Sequence, residues 1–235
     1  YLLMAGGIIL AACNNEPAYK IVGIAEGIAD GETVYLQEVQ GRDLINLDSA
    51  VVNKGTFTFK GRQDSAVNRY ITYMTDGTRM MADLFLENGD INVTLGEDSR
   101  ATGTPNNDIY QEFKDKFVTY NQEMGELYQK ARTDSTLTNE QREELMKQIE
   151  TKDAEAMDMV YNTIAANIAN PVGIYLLPNY AAAFDLEKQA ALAKAIDEIN
   201  RKNGHNKIRV AAQGNEKGWQ LKREYISKQY TTNLE

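Results

Sequence analysis

Few side chains in this chain of 235 residues could do covalent or metal chemistry. Cys13 is the sole cysteine and His205 the sole histidine. A Ser-His-Asp triad or a Cys-His pair would have to use His205. That residue stands in Asn203-Gly204-His205-Asn206, a helix-ending turn, where a solvated histidine is the simpler reading. Zinc sites draw on several Cys or His ligands, which this chain cannot supply. Glu140, Glu143, Glu144, Glu150, Asp153, Glu155 and Asp158 form an acidic run. Calcium wants oxygens converging from a bent loop, whereas a straight helix spreads them along its side. Interleaved Lys147 and Lys152 point instead to ordinary i,i+4 pairing on a solvated face. No catalytic residue, metal ligand or cofactor site is expected.

Tyrosine is the enriched type: 13, against six phenylalanines and one tryptophan. Large amphipathic rings favour binding surfaces, although they serve strands and domain seams at least as often. Tyr70 and Tyr73 share one strand and point to opposite faces, so at least one is partly exposed. Tyr70, Tyr73 and, in the helical half, Trp219 are the candidate binding residues. Two carboxylates on a concave β surface could hydrolyse a glycoside, but nothing in the residue pattern selects a pair.

The fate of Cys13 is more specific. Residues 2–12 are apolar and small, and Asn14-Asn15-Glu16-Pro17 turn polar at once. The run is too short to span a bilayer, which takes about 20 residues. It fits a signal-peptide core of about 7–15 residues followed by small residues. Leu10-Ala11-Ala12-Cys13 resembles a bacterial lipobox, whose cysteine is lipidated and becomes the new N-terminus. Several acyl chains on one residue satisfy the need for more than one chain in stable anchoring. The alternative is a buried free cysteine in a soluble domain. Residues 1–12 are thus expected to be a signal-peptide remnant, and residues 13–18 a lipidated end and linker.

A net charge of −9 disfavours nucleic acid, which needs clustered Lys and Arg. With 43% hydrophobic and 25% charged residues, the remainder is long enough for one large or two small globular domains.

Residues 19–102 read as strands. Short β-rich runs alternate with Asp30-Gly31, Asn53-Lys54-Gly55, Asp76-Gly77 and Asn88-Gly89-Asp90, which suit tight turns. Thr56-Phe57-Thr58-Phe59, and Ile91, Val93 and Leu95, repeat with period two. From about residue 105 the period becomes helical, through Ile109, Phe113, Phe117, Tyr120, Met124, Leu127 and Ala131. Thr138 and Gln141 make a capping-box pattern for a second helix. That helix carries Leu145, Ile149, Lys152, Ala156, Val160, Ile164 and Ile168 on one stripe and is ended by Asn170-Pro171. Shorter helices follow over Val172–Tyr180 and Leu186–Lys202. The expected class is α+β: an N-terminal antiparallel β-sandwich, or an open barrel, followed by a C-terminal α-helical region over 103–235. The hinge is expected near Ala101–Pro105.

Three stretches go beyond generic patterning: Leu47 to Gly61, Phe85-Leu86-Glu87-Asn88-Gly89-Asp90-Ile91-Asn92-Val93, and Gly103-Thr104-Pro105-Asn106-Asn107-Asp108-Ile109-Tyr110. They resemble the domain of unknown function that precedes a thioredoxin-like domain in many Bacteroidetes lipoproteins. The resemblance covers about residues 19–205, and its motifs are structural rather than catalytic. It implies an extracytoplasmic lipoprotein. Its thioredoxin-like partner domain, with a CxxC pair, is not found in this sequence. Disulfide exchange needs an attacking thiolate and a resolving thiol, so the chain is not expected to perform it.

The expectation is a lipid-anchored cell-envelope protein, held to the membrane through Cys13 and facing the periplasm, with the cell surface as the other option. It acts as a non-catalytic binding or assembly module, with an envelope protein as its possible partner. The alternatives are an accessory subunit for a separate thioredoxin-like oxidoreductase and a carboxylate-based hydrolase.

Overall fold

The computed structural model describes residues 18–75 and 77–203. Eight strands come first: β1 (Tyr19–Ala25), β2 (Thr33–Gln40), β3 (Asp43–Val51), β4 (Thr56–Gly61), β5 (Val67–Thr75), β6 (Thr78–Leu86), β7 (Gly89–Leu95) and β8 (Arg100–Thr102). Four helices follow: α1 (Pro105–Thr133), α2 (Asn139–Ala166), α3 (Pro171–Tyr180) and α4 (Leu186–Asn203). The class is α+β. The change from strand to helix falls between Thr102 and Pro105, whereas two compact units divide between Gln129 and Lys130, inside α1.

In the first unit the strands make two four-stranded sheets packed as a sandwich. The first sheet has the order β4-β1-β7-β8 and the second β3-β2-β5-β6. The alternation read from the sequence decides which side chains meet. Ile21 and Ala25, Phe57 and Phe59, and Ile91, Val93 and Leu95 point inward from the first sheet. Val34 and Leu36, Ile71 and Tyr73, and Ala82, Leu84 and Leu86 meet them from the second. Each of the Ile, Val, Leu and Phe side chains contributes roughly 1.5–3 kcal/mol by leaving water, and each alanine methyl less. Phe57 and Phe59 also meet edge to face, with centroids 5.8 Å apart.

The β3–β4 turn shows how the chain reverses between the sheets. Lys54 and Gly55 both have positive φ (52° and 69°), and Asn53 N–H donates to the Thr56 carbonyl at 2.8 Å. Positive φ at both central positions is the hairpin geometry whose twist matches that of the flanking strands.

One pair departs from antiparallel order. β1 and β7 run parallel, in register from Tyr19↔Gly89 to Ala25↔Leu95. Alternating hydrophobicity reports which face is buried and not which strand lies beside it, so this pairing is not legible in the pattern.

In the second unit, α2 opens with the expected capping box. Gln141 N–H donates to Thr138 Oγ1 (3.3 Å) and Thr138 N–H to Gln141 Oε1 (2.9 Å). Leu145, Ile149, Ala156, Val160 and Ile164 are buried along one face. Lys188 ties α4 to α2: its Nζ lies 2.5 Å from Asp158 Oδ1 and over the Tyr161 ring at 5.4 Å. Among the described residues, no helix is long and apolar enough to cross a membrane.

Candidate binding face

Cross-strand register sets out the outer face of the second sheet. Asn46 opposes Gln37, Gln37 opposes Tyr70, and Tyr70 opposes Asp83. Directly opposed residues share a face, so these four form one row across β3, β2, β5 and β6. Their sequence neighbours Leu36, Ile71, Ala82 and Leu84 point into the core, which makes the row outward-facing. The next row on the same face is Ser49, Tyr35, Thr72 and Met81.

The rows are cross-linked by hydrogen bonds. Gln37 Nε2 donates to Asn46 Oδ1 (2.6 Å), and Thr72 Oγ1 donates to Gln37 Oε1 (2.7 Å). At the β6 end, Asp83 accepts from Tyr110 Oη (2.6 Å) and from Lys114 Nζ (2.7 Å). Lys114 Nζ also lies 4.8 Å from the Tyr110 ring centroid. Both donors come from α1. Phe85, on the same face, packs edge to face on Tyr110 at 5.4 Å.

Helix α1 therefore covers the face at the Asp83–Phe85 end of β6. Away from that end Tyr35 and Tyr70 are half-buried, Thr72 is buried between its neighbours, and Val39, Val51, Met74 and Met81 are exposed (Met74 at 68%). A solvent-facing sheet surface is normally polar. Half-sunk tyrosines beside exposed methionines and valines have the composition of a contact surface instead.

The first turns of α1 also close two sheet edges. Asn107 bonds both backbone groups of Phe85 on β6: Phe85 N–H donates to Asn107 Oδ1 and Asn107 Nδ2 to the Phe85 carbonyl, each at 2.8 Å. On β8, Ala101 N–H donates to Gln111 Oε1 (3.1 Å). Just beyond it, Gly103 N–H donates to Asp108 Oδ1 (2.8 Å). Arg100 makes a two-point contact with Asp115, at 2.9 and 2.6 Å. The Arg100 guanidinium first, and then the Gln111 amide, hold the Asp115 carboxyl below its ordinary range against partial desolvation.

A second polar cluster faces the inner side. Glu38 and Arg69 pair at 2.9 Å, and Gln40 Nε2 donates to Glu38 Oε1 (2.7 Å). Arg69 Nε is buried without a hydrogen-bond partner. Glu38 and Asp83 are both partly buried carboxylates of the second sheet. They face opposite sides of it and do not converge as a glycosidase pair must.

Of the residues singled out in sequence, Tyr70 lies half-buried on the open face and Tyr73 is buried in the core at 7% exposure. Cys13, His205 and Trp219 lie outside the described residues. The acidic run lies on α2. Among the described residues, no three His, Cys, Asp or Glu side chains come together as a metal site. The edge-closing Asn107, Asp108 and Gln111 were not expected. Asn106-Asn107-Asp108 after Pro105 reads as a helix start, and nothing in that pattern says its amides bond a strand.

Residues 19–110 match the family model described as a domain of unknown function (DUF4369). The match takes in all eight strands and the turn of α1 that closes β6. Residues 190–235 match a second model, also described as a domain of unknown function (DUF4113). No curated protein and no solved structure matches the chain.

Proposed function

We propose that this protein is a non-catalytic binding or assembly module of the bacterial cell envelope, anchored through lipid on Cys13 and facing the periplasm. The observation that carries it is the half-open outer face of the β3-β2-β5-β6 sheet, where Tyr35 and Tyr70 stand among exposed Met74, Met81 and Val39. Exposed apolar side chains gathered on one sheet face mark contact surfaces in soluble domains. Hydrogen bonds among Asn46, Gln37 and Thr72 fix the polar part of that face, so little side-chain freedom is lost when a partner arrives.

Photo-crosslinking in cells tests this. A crosslinker at Met81 is expected to capture an envelope component, while one at Lys60, on the other sheet, is not. Robust hydrolytic or redox turnover by the purified protein overturns the reading. For the anchor, Cys13→Ala is expected to move the protein from the detergent phase to the aqueous phase, and unchanged partitioning refutes lipidation.

A second reading rests on the resemblance of Leu47–Gly61, Phe85–Val93 and Gly103–Tyr110 to the domain that precedes a thioredoxin-like domain in many Bacteroidetes lipoproteins, stretches that fall within the matched residues 19–110. In that case the partner is a separate thioredoxin-like oxidoreductase. Co-purification from membranes recovers it or excludes it.

A further inference from the structure

We propose that β3 is a strand-addition site, whose free edge takes an extended partner segment in which lysine or arginine alternates with aliphatic residues. This rests on the reading of the protein as a binding module and names where and how it binds.

The sandwich has four edge strands, β3, β6, β4 and β8. Helix α1 occupies two of them, β6 through Asn107 and β8 through Gln111. β4 is six residues long and exposes Thr56, Thr58 and Lys60. A short edge carrying lysine discourages pairing. β3 is nine residues long, contains no lysine, arginine or proline, and exposes Ile45, Leu47 and Val51 at 40%, 45% and 60%. Its backbone is bonded to β2 on one side. Ser49 N–H donates to the neighbouring Asp48 Oδ1, at 2.7 Å. An edge that is long, apolar and uncovered is a template for another strand.

Charge selects the occupant. Asp43 and Asp48 have no basic partner among the described residues. Burial, and after it the nearby Asp48 carboxylate, push the Tyr19 phenol up. A second copy of β3 would bring four carboxylates onto one pair of strands, and like charges across strands repel. A cationic strand removes that repulsion. Its carbonyl takes over Ser49 N–H, which frees Asp48 for a lysine or arginine. Nine residues at about 3.3 Å each give a site roughly 30 Å long, so the segment is about eight residues.

The test is fluorescence anisotropy on the full chain with a capped, labelled peptide of about eight residues alternating lysine and valine. A block-ordered peptide of the same composition is the charge control. Two further peptides carry N-methyl groups along one edge or along the other. Strand addition predicts that the alternating peptide binds at least about tenfold tighter than the block peptide. It predicts that one N-methyl isomer binds like the parent and the other does not. Ser49→Pro removes the edge-facing N–H without touching the ladder to β2, and is expected to weaken binding about tenfold with an unchanged melting temperature. The double substitution Asp43→Asn and Asp48→Asn weakens binding while leaving the isomer difference intact. Equal binding of alternating and block peptides, or of both isomers, overturns the proposal, as does no binding at all. A peptide-free dimer that Ser49→Pro dissolves overturns it in favour of a second copy. If the Met81 crosslinks persist, any of these failures removes strand addition alone, and loss of the crosslinks removes the binding-module reading too.

Discussion

Asn107 and Phe85 are joined by two hydrogen bonds, each 2.8 Å long, in which one side-chain amide serves both the N–H and the C=O of an edge strand. The amide behaves as one more residue of the ladder. Its second N–H goes to Thr104 Oγ1, also at 2.8 Å, and Asn107 is 1% exposed. A sheet edge attracts foreign strands, and here the protein's own helix occupies the place. Edge protection at β6 therefore depends on the helix that follows the sandwich, and the family match extends past Asn107 to Tyr110.

Removing that amide should be costly. Asn107→Ala leaves the Phe85 N–H and C=O without partners in a buried place, where an unsatisfied group costs about 1–3 kcal/mol. We expect a loss of about 2–4 kcal/mol in urea unfolding, with faster hydrogen exchange at Phe85. Asn107→Asp keeps the acceptor for Phe85 N–H, and its protonated form regains one of the two lost donors, so it should fall between wild type and alanine at low pH. A cost below about 0.5 kcal/mol for alanine would show that water replaces the amide.

Gly23 lies on the inner face of β1, opposite Phe57 on β4, and a Cβ at residue 23 would fall within the Phe57 ring. Close approach of that ring, rather than a special φ, is what demands glycine. Gly23→Ala should destabilise by about 1–3 kcal/mol through overpacking. Phe57→Leu alone should also destabilise, while the double variant should cost less than the sum, with a coupling of at least about 0.5 kcal/mol. Additive costs in a double-mutant cycle would refute the contact.

The fold was legible where burial follows one period. The alternation in Thr56–Lys60 and in Ile91, Val93 and Leu95 places the first-sheet core correctly, and Thr138 with Gln141 marks the start of α2. It was less legible at the first turns of α1. Phe113 and Met124 are buried on the expected stripe, yet Ile109 is only half-buried, and Asn107, Tyr110 and Gln111 are buried off it. The cause is that these turns meet two sheet edges at once, so burial there spreads beyond one face. Tyr70 and Tyr73 were separable onto opposite faces, and Ile71 sits two residues from Tyr73 on the same side. That neighbour is the signal that puts Tyr73 in the core and leaves Tyr70 for the open face.

The Thr138 capping box predicts a local effect. Thr138→Ala removes an acceptor for Gln141 N–H and should cost about 1 kcal/mol. Thr138→Asp should retain most of it, since aspartate caps equally well and favours the positive end of the helix dipole. Urea titration by circular dichroism at 222 nm reads the difference, and an alanine variant with an unshifted midpoint would rule out the cap as a source of stability.

Arg100 and Asp115 predict an acid dependence. Arg100 on β8 grips Asp115 on α1 at two points, and Gln111 Nε2 adds a third bond at 2.8 Å. Arg100 chiefly, with Gln111, depresses the carboxyl in the folded state. A depressed acid stabilises the fold above its unfolded value, about 3.9, and that contribution is lost as pH falls through the folded value. Both side chains are nearly half exposed, so water screens the pair and its worth at neutral pH is below about 1 kcal/mol. The sharper readout is the titration itself. In carboxyl-detected NMR, Asp115 should titrate below ordinary aspartates, and Arg100→Ala should move it up towards them. Arg100→Lys should restore the charge without the two-point fork and recover only part of the shift. Asp115→Asn should flatten the fall in stability below about pH 4 that the wild type shows. An Asp115 midpoint at the ordinary value in the wild type would mean that the clamp does not persist in solution.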